Sequence, residues 1–126
     1  MGVIYTTIEL SNPIMPSLEK MEVKALADTG AVHLCIPEHI VLQLQLKELE
    51  KREVTLADGS KKFISYVGPI KITFKNRSAF VGALVMGQMP LLGAIAMEDL
   101  DLVIHPFLQK IDVNPDSPNI PQSLAM

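Results

Sequence analysis

Tryptophan is absent from the 126 residues, cysteine occurs once, and aromatic residues make up only 5%. A lone thiol excludes an intrachain disulfide framework and any multi-cysteine zinc site. So few aromatics argue against a base-stacking platform for nucleic acid. Dense basic runs are missing too. Eleven Lys and Arg stand against 14 Asp and Glu, a formal net charge of −3, so no nucleic-acid partner is expected. No apolar run reaches the roughly 18 residues of a membrane-spanning helix, and no membrane partner is expected. Met1-Gly2-Val3-Ile4-Tyr5 lacks a charged leader followed by a long apolar stretch, so no signal peptide is expected. Gly2 and Thr6 are not followed by a basic patch, so they do not make a lipid anchor. With one thiol, the simplest address is a reducing cytoplasm.

What is present is a globular composition, 48% hydrophobic and 20% charged, at a length that suits one domain. The dominant pattern has period two. Ile4, Thr6, Ile8 and Leu10 share one face of a strand rich in β-branched residues. Met21, Val23 and Ala25 alternate with charged neighbours and lead into Leu26-Ala27. Val32 to Ile36 reads as a short strand, and Pro37 opens a short helix carrying Ile40, Val41 and Leu44. Lys47 to Glu53 reads as a solvated charge run. Asp58-Gly59 turns a β-hairpin whose return strand is Phe63 to Val67, and Gly68-Pro69 punctuates it. Ile70, Ile72 and Phe74 alternate; Asn76-Arg77 turns; Phe80 to Met86 and Leu102 to Ile104 are further strands, with a helix over Ala94 to Leu100. About seven short strands with turn signals roughly 8–12 residues apart predict an all-β barrel or sandwich. Residues 1–106 form the domain; residues 107–126 form a C-terminal extension, read as a candidate interface strand followed by a loose tail with Pro115, Pro118 and Pro121.

The segment that carries chemistry is Leu26-Ala27-Asp28-Thr29-Gly30-Ala31. An acid ends an apolar strand, and a hydroxyl residue and a glycine follow it. A carboxylate in such a partly desolvated place needs hydrogen-bond donors. Gly30 allows its N–H a close approach, and Thr29 can tie the loop through its hydroxyl. The plainer reading is an Asx-turn in which Asp28 caps its own backbone. Asp-Thr-Gly arises by chance in roughly one chain in forty of this length, and the apolar flanks on both sides favour the chemical reading.

Ala27-Asp28-Thr29-Gly30-Ala31 resembles the active-site motif of the retropepsin-like aspartic proteases. Two further features of that family follow in order: a flap hairpin, turning here at Asp58-Gly59, and an apolar pair with glycine before a short helix, here Leu91-Leu92-Gly93 and Ala94 to Leu100. The resemblance spans residues 3 to 105, and the turn Ala57-Asp58-Gly59-Ser60 is similar to that of small single-domain prokaryotic members. The viral members carry an acid after the motif alanine and an arginine after the second glycine; Val32 and Ala94 stand there, so neither half of that ion pair is left alone. The viral flap is glycine-rich, whereas this one has only Gly59 and carries Lys61-Lys62. The resemblance implies a small closed β-barrel of the acid-protease type with one or two short helices. It implies Asp28 as the catalytic residue, Thr29 and Gly30 as active-site loop support, and Ala31, Asp58, Gly59, Leu92 and Gly93 at the substrate cleft. It also implies a peptide or protein substrate and no metal or organic cofactor.

Peptide hydrolysis by this route needs two carboxylates sharing one proton. The chain holds one Asp-Thr-Gly, and Asp58, Asp99, Asp101, Asp112 and Asp116 lack its apolar approach. The second acid is therefore expected from another copy, in a C2 homodimer. The expected function is aspartic endopeptidase; the alternative is a dimeric binding or scaffold module that has lost turnover. An unrelated β-sandwich with a chance motif is the third reading. His33, His39 and His105 match no familiar metal spacing and read as structural, with His33 expected near the cleft wall. Cys35 reads as a small buried hydrophobe rather than a nucleophile, and Met86 and Met89 as filler. Gly82, Gly87 and Gly93 lack the Lys-Ser/Thr of a phosphate loop.

Overall fold

A computed structural model describes residues 3–123. Met1, Gly2 and residues 124–126, with the expectations that fall on them, lie outside the described residues. Strand β1, Ile4–Ser11, buries Ile4, Ile8 and Leu10 on the face expected from its alternation. It pairs antiparallel with β2, Met21–Ala27, in a register that sets Ile8 opposite Val23. Between them Asn12 is buried and satisfied. Its Oδ1 accepts from the Ile14 and Met15 amides at 3.0 and 3.3 Å, and its Nδ2 donates to the Leu44 carbonyl at 2.9 Å.

Next come β3, Leu34–Ile36, and the short helix α1, Glu38–Gln43, for which Pro37 is the N-cap. The charge run is not loop: Lys47–Thr55 forms β4, paired with the first part of β5, Lys61–Phe74. Most of its side chains meet water, so it shows little polarity alternation and its ladder reveals it. β5 also runs through Gly68-Pro69, where punctuation was expected; the break survives as a register shift between Val67 and Ile70 in the ladder with β6, Arg77–Val85. The turn before β6 lies at Lys75-Asn76, and Arg77 belongs to the strand. Two residues, Leu91–Leu92, make β7, followed by helix α2, Ala94–Asp99.

The strands close on themselves in the order β1-β2-β7-β3-β6-β5, and β5 returns to β1 through Leu10 opposite Ile72. β4 lies outside this six-stranded barrel, on the edge of β5. The barrel is filled by Ile8, Leu10, Leu34, Ile36, Ile70 and Ile72, with Leu92 and Leu100 closing one end, all essentially without solvent contact. Each such side chain contributes about 1.5–3 kcal/mol of burial free energy. A closed barrel overturns the sandwich reading. Beyond it, β8, Leu102–His105, and β9, Lys110–Val113, form a separate hairpin. Residues 114–123 have no regular structure but are anchored: Ser117 is buried, its carbonyl accepts from Nη2 of buried Arg77, and its hydroxyl donates to Asp101.

Candidate active site

β2 delivers Asp28 to the end of the barrel. The Leu26 amide donates to the Pro90 carbonyl and the Asp28 amide to the Leu92 carbonyl, both at 3.0 Å, so β7 fixes where β2 stops. The chain then turns sharply: the Ala31 amide donates to the Asp28 carbonyl at 3.2 Å, and the Gly30 amide to Asp28 Oδ1 at 2.8 Å. The Asx-turn is therefore real, and it orients the carboxylate. Among the described residues no hydrogen bond reaches Oδ2, which leaves one oxygen for a proton or a substrate. Thr29 makes no side-chain hydrogen bond among the described residues.

The loop is held from beneath by Gly93. A Cβ on Gly93 would lie 2.5, 2.8 and 2.9 Å from the carbonyl oxygens of His33, Val32 and Ala31, so only glycine permits the approach. The first amides of α2 then reach the same loop, Ala94 donating to the Ala31 carbonyl at 2.8 Å and Ile95 to Val32 at 3.1 Å. These donors have no partner within their own helix, and the loop supplies one. Leu92 and Gly93, expected at the cleft, are buried under the loop and act through backbone. Ala31 is half-buried at its edge.

Asp28, Thr29 and Gly30 are exposed in the single chain, not partly desolvated as expected. Asp28 lines a cavity of about 280 Å³ whose other walls are Val3, Ile4, Leu26, Ala27, Thr29 and Ile104, none of them acidic. Val3, one of those walls, is 59% exposed, and Val32, next to Ala31 on the loop, is 56% exposed.

The β4–β5 hairpin ends in a tight turn. The Leu56 amide donates to the Ser60 carbonyl at 2.8 Å, Asp58 Oδ1 accepts from the Ser60 amide and hydroxyl at 2.9 and 2.6 Å, and Gly59 adopts φ +86°. Those donors hold the Asp58 carboxyl below its usual range. Asp58 and Gly59 thus stand at the tip of the hairpin. At its base is a contact not expected from the sequence: Arg52 of β4 meets His33, Nη1 to Nε2, at 3.2 Å. Arg52 lies within what read as a solvated run; the one available signal was its place two residues before Val54, on the half-buried face of β4. Burial, and secondarily the Arg52 charge, push the His33 ring below its usual pKa. Cys35 is half-buried, and burial first and the Asp28 charge second raise its thiol, which suits an inert residue. Among the described residues, no group of three or more His, Cys, Asp or Glu is placed to hold a metal, and no helix is long and apolar enough to cross a membrane.

Among solved structures, a complex of EIAV protease with an inhibitor matches at a TM-score of 0.63, with 18% identity over 79% of this chain and 88% of that one. The chain has the retropepsin fold. The simian foamy virus (mac) protease in solution also matches, at a TM-score of 0.47 and 16% identity over 73% of this chain and 91% of that one. No family model and no curated protein matches the sequence. In the retropepsin fold of this chain, Asp-Thr-Gly sits on the loop between β2 and β3, Leu-Leu-Gly beneath it, and the hairpin at Asp58-Gly59 projects from the barrel on β4 and β5.

Proposed function

We propose that this protein is an aspartic endopeptidase that works as a homodimer. One observation carries the reading: Asp28 is fixed through its amide to Leu92, through its carbonyl by the Ala31 amide and through its carboxylate by the Gly30 amide, yet among the described residues it is the sole acid lining a cavity whose other walls are apolar but for Thr29. A rigid, solitary carboxylate of this kind fits half of a two-acid site. The twofold partner would supply the other Asp28. The pair shares one proton, because two adjacent negative charges cannot both persist. The ionised acid takes a proton from water as its oxygen attacks the peptide carbonyl, while the protonated acid gives its proton to the carbonyl oxygen. Collapse of the tetrahedral diol breaks the C–N bond as the amine takes a proton from the first acid and the second recovers its own.

In this reading Thr29 locks the two loops together, Gly30 and Ala31 line the cleft, and the hairpin at Asp58 and Gly59 closes over a peptide or protein substrate. Leu92 and Gly93 support the cleft floor. The exposed Val3 and Val32 and the open cavity support an unfilled interface beside the acid. A reducing cytoplasm suits the single thiol of Cys35. The test is hydrolysis of a peptide library. Asp28→Asn should lower the rate by at least about 10²-fold, the scale of lost acid–base catalysis, with circular dichroism and sedimentation unchanged. A variant as fast as the parent overturns the mechanism, and a parent that binds peptides without cleaving them supports the binding-module reading instead.

A further inference from the structure

His33 sits two residues beyond Ala31, and its carbonyl is one of the three that close on Gly93, so its backbone belongs to the active-site loop. Its ring belongs to a different set of contacts. Nε2 lies 3.2 Å from Arg52 Nη1, and the ring meets Tyr66 edge-on at 5.7 Å between centroids. The Arg52 guanidinium lies 4.0 Å over the Tyr66 ring, and its Nε donates to Glu50 at 2.8 Å. Tyr66 fits there because residue 82 is glycine; a Cβ would overlap the ring. Arg52 and Glu50 are on β4 and Tyr66 on β5, the two arms of the flap hairpin. The cluster therefore ties the base of the hairpin to the loop that carries Asp28, beside a cavity of about 340 Å³ lined in part by His33, Tyr66, Gly82 and Asp99.

Arginine has only donors and does not lose its proton. The nitrogen facing it must therefore accept, which requires a neutral imidazole with its hydrogen on Nδ1. A protonated ring has no acceptor, and two cations would then face each other at hydrogen-bond distance. We propose that His33, acting through Arg52, is a positioning residue that latches the flap hairpin to the active-site loop while its ring is neutral and releases it on acidification.

The groups that meet the ring are Arg52 from β4 and Tyr66 from β5; Glu50 of β4 pairs with Arg52 behind it, Asp99 of α2 lines the same cavity, and β6 presents Phe80, Val81 and Gly82, which do not titrate. The ring's pKa is depressed in the fold, so its contribution is complete above the unfolded value of about 6.5 and is lost as pH falls through the lower folded value. The latch is therefore closed at neutral pH and opens in acid. Its consequence for substrate rests on the proposed peptidase reading; the latch itself does not.

The experiment is amide hydrogen exchange across residues 51–62, corrected for the intrinsic pH dependence, at about pH 7.5 and about pH 5. Hairpin protection in the parent should fall about two- to tenfold on acidification, the range one net hydrogen bond carries. His33→Gln, whose amide oxygen accepts from Arg52 without titrating, should show no such step. Arg52→Met should show low protection at both pH values, and it decides the matter if His33→Gln does not fold. A parent without the step, or either variant with it, overturns the latch. In peptide hydrolysis, KM of the parent should rise over the same interval while that of His33→Gln stays flat. If exchange behaves as expected and no peptide is cleaved, the latch stands and the peptidase reading fails.

Discussion

The backbone N–H of Asp28 donates to the carbonyl of Leu92 at 3.0 Å, so the acid and the Leu-Leu-Gly segment are parts of one hydrogen-bonded unit. That bond explains why the site needs two distant motifs. β2 brings the carboxylate, and β7 with Gly93 decides where it stops.

Gly93→Ala tests the unit directly. The added methyl would press on three loop carbonyls, two of which, those of Ala31 and Val32, are themselves pinned by α2. We expect a loss of about 1–3 kcal/mol in denaturant unfolding, typical of overpacking a rigid site, together with loss of peptide hydrolysis. An unchanged unfolding midpoint would show that the loop yields freely.

Asn12→Ala separates stability from activity. It removes the buried bridge from the β1–β2 loop to the Leu44 carbonyl and leaves that carbonyl without its side-chain donor. The expected cost is about 1–3 kcal/mol, seen in the unfolding midpoint, with the rate per folded molecule unchanged. A lowered rate at full folding would place Asn12 closer to the site than its contacts do.

Asp101 anchors the C-terminal segment. The Ser117 hydroxyl, the Gln122 amide and Asn114 Nδ2 all donate to its carboxylate, in that order of effect, and hold its pKa below the usual value. A depressed acid adds stability that is complete above its unfolded value of about 3.9 and is lost as pH falls through the folded one. Melting temperature should therefore decline at the acid end in the parent, and less steeply in Asp101→Asn. Identical acid limbs in a thermal series would remove Asp101 from this role.

Assembly predicts a concentration dependence. If each active centre takes one Asp28 from each copy, specific activity should fall on dilution below the dimer dissociation constant, in step with sedimentation. Constant specific activity from a sedimenting monomer would contradict a shared site.

Much of the barrel was legible because burial on one face imprints polarity alternation. The faces of β1 and β2, and Ile70, Ile72 and Phe74 in β5, are those read from the sequence. The hairpin turn was legible because Gly59 adopts a left-handed conformation that favours glycine. β4 was not, since its first five residues are all exposed and its only half-buried positions, Arg52 and Val54, are too few to mark an inside. β7 was not, because two residues are too few to show a period. In the site, Asp28 and its turn could be read locally, whereas Arg52 could not be linked to His33 across 19 positions.

By itself, the sequence determined which residues alternate, where the chain must turn, and that the one Asp-Thr-Gly follows an apolar strand; these are local matters of side-chain polarity and backbone freedom. Only the tertiary structure decided that β5 returns to β1 to close a barrel, that Gly93 sits under the Asp28 loop, and that Arg52 of the β4–β5 hairpin meets His33. Those contacts join segments far apart in the chain, and their stability comes from packing and hydrogen bonds that exist only once the barrel is closed.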